Sequence, residues 1–277
     1  MTFTQHAPTP CSRHDDNVVV PDILTPLPGG ALVCPSVQDM PLILGAHTHY
    51  VEAPLVPRPF SGLLGRFIEN SGESFHEPFD GGRQGKDLCF GSYDLHPEGM
   101  RPLLERAFPR SSFHSNDLDK RERFIATILA VSETWDNLFP GGDVHFIFRL
   151  NQVKDTTYAT YHRETVPLTG AWNIMGKGTR VVLDGIDEER FKNSTYEDAE
   201  SFAREGHTSR VLEVGSFCLF DDELMHAAPK PTENDLSWRA IALWELAEGA
   251  LLSCGQSEWK RAFEELARTL AQLGAPS

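Results

Sequence analysis

The amino-acid sequence predicts a mainly β protein with flanking α-helices, a β-barrel or sandwich buttressed by helices. Three observations carry this. Between residues 144 and 246, six segments read as strands, separated by Gly-containing turns. Helical periodicity precedes that block and follows it. Strands and helices do not alternate as βαβ units would require.

Taken in order, the chain opens with a Pro-rich stretch: ten of the nineteen prolines fall before residue 60. Proline fixes φ and removes a ladder donor, so residues 1–60 are expected to be extended and irregular, wrapping the domain or lying across a site. Residues 61–140 read as mainly helical support, with a short helix over 98–108 and a stronger one over about 116–139. Ser115 or Asn116 can cap the second, and Leu118, Phe124, Ile125, Ile128, Leu129, Trp135 and Leu138 recur in it at helical spacing. Residues 144–246 form the β core. Its strands are expected at 144–150, 158–166, 169–175, 179–183, 210–220 and 238–246. Gly176-Lys177-Gly178, Asp184-Gly185 and Gly215-Ser216 mark turns. The polar stretch 187–207 reads as a surface insertion with one or two helical turns. A last helix, 257–273, carries Trp259, Phe263, Leu266, Leu270 and Leu273 on one stripe. No linker interrupts residues 1–277, so a single domain is expected.

Charge narrows the function classes. Lys plus Arg number 25 against 40 Asp plus Glu, a net charge of −15, and no basic patch stands out. Such a chain repels phosphate backbones, so nucleic acid is not the expected partner and a small molecule is. The longest apolar run near the start, Met40–Ala46, is far too short to span a bilayer, and residues 1–17 carry no signal core. Five cysteines, an odd number without a Cys-x-x-Cys, read as free thiols in a reducing compartment. The expected location is cytoplasmic. Nothing in the sequence indicates an oligomeric state.

The chemistry concentrates in Tyr161-His162-Arg163-Glu164. In a strand, side chains two apart share a face, so His162 and Glu164 point the same way about 6.5–7 Å apart at Cα. An imidazole and a carboxylate so placed can reach one metal. His226 follows 62 residues after Glu164. Two histidines and one carboxylate leave three coordination positions open, which suits Fe(II) and O2 chemistry. Thirteen residues further lies Arg239, inside the apolar strand Trp238-Arg239-Ala240-Ile241-Ala242-Leu243-Trp244. A guanidinium there needs an anionic partner, and its planar fork suits a carboxylate.

On these residues the chain resembles the Fe(II)/2-oxoglutarate-dependent oxygenases, whose signature is His-x-Asp/Glu, a distal His, and an Arg about a dozen residues on. The resemblance runs from about Val144 to Leu246. It implies a double-stranded β-helix, a jelly-roll or cupin-like core, in one catalytic domain. It also implies that His162, Glu164 and His226 bind Fe(II), and that Arg239 grips the distal carboxylate of 2-oxoglutarate. A small molecule, possibly an amino acid or a natural-product intermediate, would then be oxidised by O2, with hydroxylation the default outcome. The chain departs from the common pattern in having Glu164 for Asp, and Ile241 where many members place Ser or Thr. A fainter resemblance, to a bacterial family of unknown function, rests on Arg149-Leu150, the His162 segment and Gly176-x-Gly178-Thr179.

Other readings stay open from sequence. A cupin-like barrel that only binds a ligand would keep the same strands, as would an iron protein that does not use 2-oxoglutarate. His47-Thr48-His49 after an apolar run is also the opening of a zinc hydrolase motif, although the β-rich middle lacks the βα units that fold needs. Tyr158, Thr160 and Trp172 are candidates to line the pocket. Arg66, Arg83 and Arg101 are candidates for a substrate carboxylate, or else solvated surface residues. Cys218 reads as core packing.

Overall fold

A computed structural model describes residues 25–28, 31–35, 50–55, 59–71, 85–90, 97–138, 144–155, 161–164, 166, 168–192, 203–230, 232 and 235–246. The 257–273 helix, His47, His49, Arg83, Tyr158 and Thr160 lie outside the described residues.

Strands β1 (Thr25–Pro26), β2 (Leu32–Val33) and β3 (Tyr50–Pro54) come from the Pro-rich start, which supplies short strands where irregular chain was expected. Helix α1 (Pro59–Ser71), strand β4 (Gly85–Phe90) and helices α2 (Pro97–Ala107) and α3 (Leu118–Leu138) follow. The rest is β5 (Val144–Gln152), β6 (Leu168–Met175), β7 (Arg180–Ile186), a short helix α4 (Glu188–Lys192), β8 (Ala203–Val211), β9 (Ser216–Asp221), β10 (Met225–Ala227) and β11 (Trp238–Leu246). One sheet has the order β1-β2-β3-β9-β6-β11-β5-β4 and the other β10-β7-β8. An isolated antiparallel bridge joins His162 to His226 at the free edge of β10, extending the small sheet by one position.

The path between the sheets defines the fold. From β5 in the large sheet the chain crosses to His162 in the small one, returns to β6, crosses to β7 and β8, returns to β9, crosses to β10 and returns to β11. This is the winding of a double-stranded β-helix, a jelly roll, with β9-β6-β11-β5 facing β8-β7-β10.

Side-chain parity explains why the helices sit where they do. Along β5, Val144, Phe146, Phe148 and Leu150 are fully buried and join the core shared with α1, α2 and α3. Along β11, Ala240, Ala242, Trp244 and Leu246 face the same way. Phe60, Phe108, Phe124, Phe148 and Trp172 meet there edge to face or tilted, at centroid distances of 5.3–6.3 Å. The Trp244 indole N–H donates to Ser132 Oγ at 2.9 Å, fastening β11 to α3. Gly170 lets this layer close: a Cβ there would stand 2.8 Å from Trp135 and 2.9 Å from Phe217. A second core fills the barrel's inside with Tyr50, Ala171, Val181, Cys218, Phe220 and Ile241 among others. Cys218 is buried packing there, as read from sequence.

Three expectations are corrected. The 158–166 strand is, among the described residues, only the single bridge at His162. The 210–220 strand is two, β8 ending at Val211 and β9 starting at Ser216, because Gly215 turns the chain with φ 90°. The 187–207 stretch is not all insertion, since β8 begins at Ala203. Among the described residues no helix is long and apolar enough to cross a membrane.

Candidate metal centre and its cavity

The odd-numbered residues of β11 and β5 point away from the helices into a cavity of about 330 Å3 between the two sheets. Ile147 and Arg149 line it from β5, and Arg239, Ile241, Leu243 and Glu245 from β11. His162, Glu164 and His226 line it from the small-sheet side. The sequence placed these three on one site, and their ligand atoms all lie within 4.8 Å of one another.

Main-chain bonds bring them together. His162 N–H donates to His226 O, and His226 N–H to His162 O, each at 2.9 Å. The imidazole centroids are then 4.5 Å apart. Glu164 Oε1 is 3.1 Å from His226 Nε2 and 3.7 Å from His162 Nε2. Cis ligands at about 2.1 Å from one metal are roughly 3 Å apart, so the spacing fits a shared ion. The tautomer fits as well. His226 Nδ1 lies 3.2 Å from Leu224 O, a carbonyl that can only accept, so Nδ1 carries the proton and Nε2 turns a lone pair toward the Glu164 carboxylate. Two lone pairs face each other unless a second proton or a metal cation lies between them. Burial opposes ionisation of Glu164, but where the second proton is present, hydrogen bonds and charge from the protonated imidazoles of His162 and His226 outweigh it and hold the carboxyl well below the usual range.

Arg163 points away from the donors. Its guanidinium bonds Glu223 O and the Glu188 carboxylate and lies over the Phe191 ring, tying the His162–Glu164 segment to α4.

Arg239 is 4% exposed. Its Nε donates to Lys177 O at 3.0 Å and its Nη2 to Thr179 Oγ1 at 3.1 Å, and it has no ion pair among the described residues. Burial, with some repulsion from Arg149, pushes its pKa down to about 9. A guanidinium left so is costly.

Trp172 does not line the cavity. It sits on the even-numbered face of β6, 1% exposed, packed against Phe60 and Phe124. Arg66 forks onto Asp117 with bonds of 2.6 and 2.7 Å, and Arg101 lies near Glu105 on the surface. Neither reaches the cavity. Thr169, Thr179, Phe220 and Glu245 do, and sequence reasoning gave none of them a role. For Glu245 a signal existed, because it shares the parity of Arg239 along β11.

The strand order and the His-x-Glu…His grouping are those that the resemblance to the Fe(II)/2-oxoglutarate oxygenases implied. No family model matches the chain, and no curated protein sequence is detectably similar. Among solved structures the chain is similar to the dioxygenase for auxin oxidation 1 of Arabidopsis thaliana in its 2-oxoglutarate complex, with 11% identity over 76% of this chain and 89% of that one and a TM-score of 0.39. It is similar to SnoK, a non-haem α-ketoglutarate-dependent carbocyclase from nogalamycin biosynthesis, with 13% identity over 72% and 80% and a TM-score of 0.35. A Pseudomonas putida prolyl-4-hydroxylase gives 11% identity over 76% and 98%, at a TM-score of 0.32. At these values the likeness is one of outline, and the chemistry is read from this chain's own side chains.

Proposed function

We propose that the protein is an Fe(II)- and 2-oxoglutarate-dependent oxygenase acting on a small molecule. One observation carries the reading: a His-Glu-His cluster with metal-ligand spacing shares a cavity with a buried guanidinium that has no ion-pair partner among the described residues.

In this reading His162, Glu164 and His226 hold the iron. Leu224 O keeps the Nδ1 proton of His226 in place, so that Nε2 faces the metal. Arg239 binds the distal carboxylate of 2-oxoglutarate, its fork aimed by Lys177 O and Thr179 Oγ1. Ile241 provides no hydroxyl, so Thr179, one residue before β7, supplies the hydrogen-bonding oxygen near the guanidinium. Bound iron would supply oxygen activation coupled to decarboxylation of 2-oxoglutarate to succinate. The chain's contribution is placement and dryness: Ile147, Phe220, Ile241 and Leu243 wall the cavity with hydrocarbon. Hydroxylation is the default outcome.

Anaerobic addition of Fe(II) and then 2-oxoglutarate to the purified protein tests this. The expected result is a visible absorbance band from the chelate, followed by succinate release when O2 is admitted. His226→Ala should remove stoichiometric iron binding. A wild type with neither band nor iron stoichiometry sinks the proposal.

A further inference from the structure

The cavity is polarised along β11. Arg239 and Glu245 both point into it from one strand. At about 3.3 Å of rise per residue they stand roughly 20 Å apart. Arg149, opposite Ile241, adds positive charge toward the first end. Glu245 is close enough to Glu164 to feel its charge, so negative charge gathers at the other end, beside the His-Glu-His cluster.

At that negative end three side chains form a row across adjacent strands. Glu245 of β11 is in register with Thr169 of β6, and Thr169 with Phe220 of β9, and all three line the cavity. Thr169 is 1% exposed and its hydroxyl has no hydrogen-bond partner among the described residues. Glu245 makes no hydrogen bond or ion pair among the described residues. Burial pushes the Glu245 carboxyl up to about 7, with Glu164 adding to the rise and Arg149 opposing it. The Phe220 ring stacks tilted against His226 at 4.7 Å between centroids, which holds it beside the cluster.

An unpaired carboxylate and an unpaired buried hydroxyl each cost free energy, and one ligand group can satisfy both. A protonated amine brings three donors and a positive charge. The carboxylate takes one or two of the donors, the hydroxyl lone pair takes another, and an aromatic face attracts the charge. A carboxylate ligand would meet repulsion from Glu245 and Glu164. A neutral amide would satisfy the hydroxyl but leave the carboxylate charge unbalanced.

We propose that Glu245, Thr169 and Phe220 form a subsite for a protonated amine, and that the oxidised substrate is a small molecule carrying one. Its apolar body lies along Ile147 and Leu243. The substrate half of this statement rests on the oxygenase reading, whereas the subsite does not.

The test therefore begins on the full-length protein without iron or 2-oxoglutarate. Hexylammonium, hexanamide and hexanoate, equal in chain length, are titrated by calorimetry and by saturation-transfer NMR. Hexylammonium should bind at least about tenfold more tightly than hexanamide, and, in Arg239→Leu, where no guanidinium is left to hold a carboxylate at that end, more tightly than hexanoate by the same margin. Glu245→Gln should remove that preference while hexanamide stays within about twofold, and Thr169→Val should weaken hexylammonium by about threefold. Equal affinities for hexylammonium and hexanamide in the wild type, or an unchanged preference in Glu245→Gln, overturn the proposal. If Glu245→Gln does not fold, the wild-type ranking and Thr169→Val still decide. An amine preference in a protein that shows no Fe(II)/2-oxoglutarate band supports the subsite and overturns the oxygenase reading alone.

Discussion

The two faces of the large sheet are made from the same strands, yet they obey different rules. Toward the helices, β11 presents Ala240, Ala242, Trp244 and Leu246, all fully buried and without a charge. Toward the cavity it presents Arg239, Ile241, Leu243 and Glu245, two of them ionisable and neither ion-paired among the described residues. A step of one residue moves a side chain from a packed core to a binding wall. The outer face is optimised for the folded state by itself. The inner face carries charges that have no ion-pair partner among the described residues, which costs stability until a partner arrives.

The comparison breaks most visibly at Trp244. Trp244→Ala should cost about 3–5 kcal/mol of unfolding free energy, from lost burial and a stranded Ser132 hydroxyl. Urea denaturation measures it, and a loss under about 1 kcal/mol would mean that the outer face is not the stabilising one. Across the strand, Arg239→Leu should weaken 2-oxoglutarate by on the order of a hundredfold, or about 2.7 kcal/mol. Its melting temperature should hold or rise, since a buried charge is gone. Arg239→Lys keeps the charge without the fork and should fall between. A variant that lost stability instead of co-substrate affinity would erase the distinction between faces.

Gly170→Ala sharpens the comparison at smaller scale. The added methyl points at Trp135 and Phe217, and overpacking of this kind costs about 1–3 kcal/mol, again read by denaturation, with the cavity unaltered. The smallest effect expected is on Glu245. Its folded pKa, raised to about 7 from an ordinary 4.5, means that the folded state holds a proton the unfolded chain releases. Metal-free wild type should therefore lose stability as pH rises from about 4.5 to 7. Glu245→Gln should remove that part of the slope and be the more stable protein at pH 8, by on the order of 1 kcal/mol after allowance for solvent at this partly buried group. Parallel slopes for the two proteins would contradict it.

What sequence revealed follows the same division. β11 was legible over its whole length, 238–246, since an apolar run bounded by polar segments reads as a strand without help. The His-Glu-His grouping was legible because two-residue spacing and a distal histidine survive in one dimension. Trp172 was misplaced because its parity relative to the cavity is fixed only by pairing with β9 and β11, which lies far away in the chain. The His162 segment was read as a full strand, whereas its described ladder is one pair of main-chain bonds to His226. Thr169 carries no signal because a single polar residue in a strand makes no motif, whereas Glu245 shares the parity of Arg239 along β11 and could have been read from it. Only the register that sets them side by side gives them meaning.

That pair of main-chain bonds has a consequence for how the centre could be altered. Peptide groups, not imidazoles, hold positions 162 and 226 together. The anchor is blind to what the side chains are. Aspartate, cysteine or alanine at either position leaves both main-chain hydrogen bonds free to form, so the scaffold should tolerate a changed set of donors. The donor set at this cluster can therefore be exchanged one residue at a time, without redesigning the barrel around it.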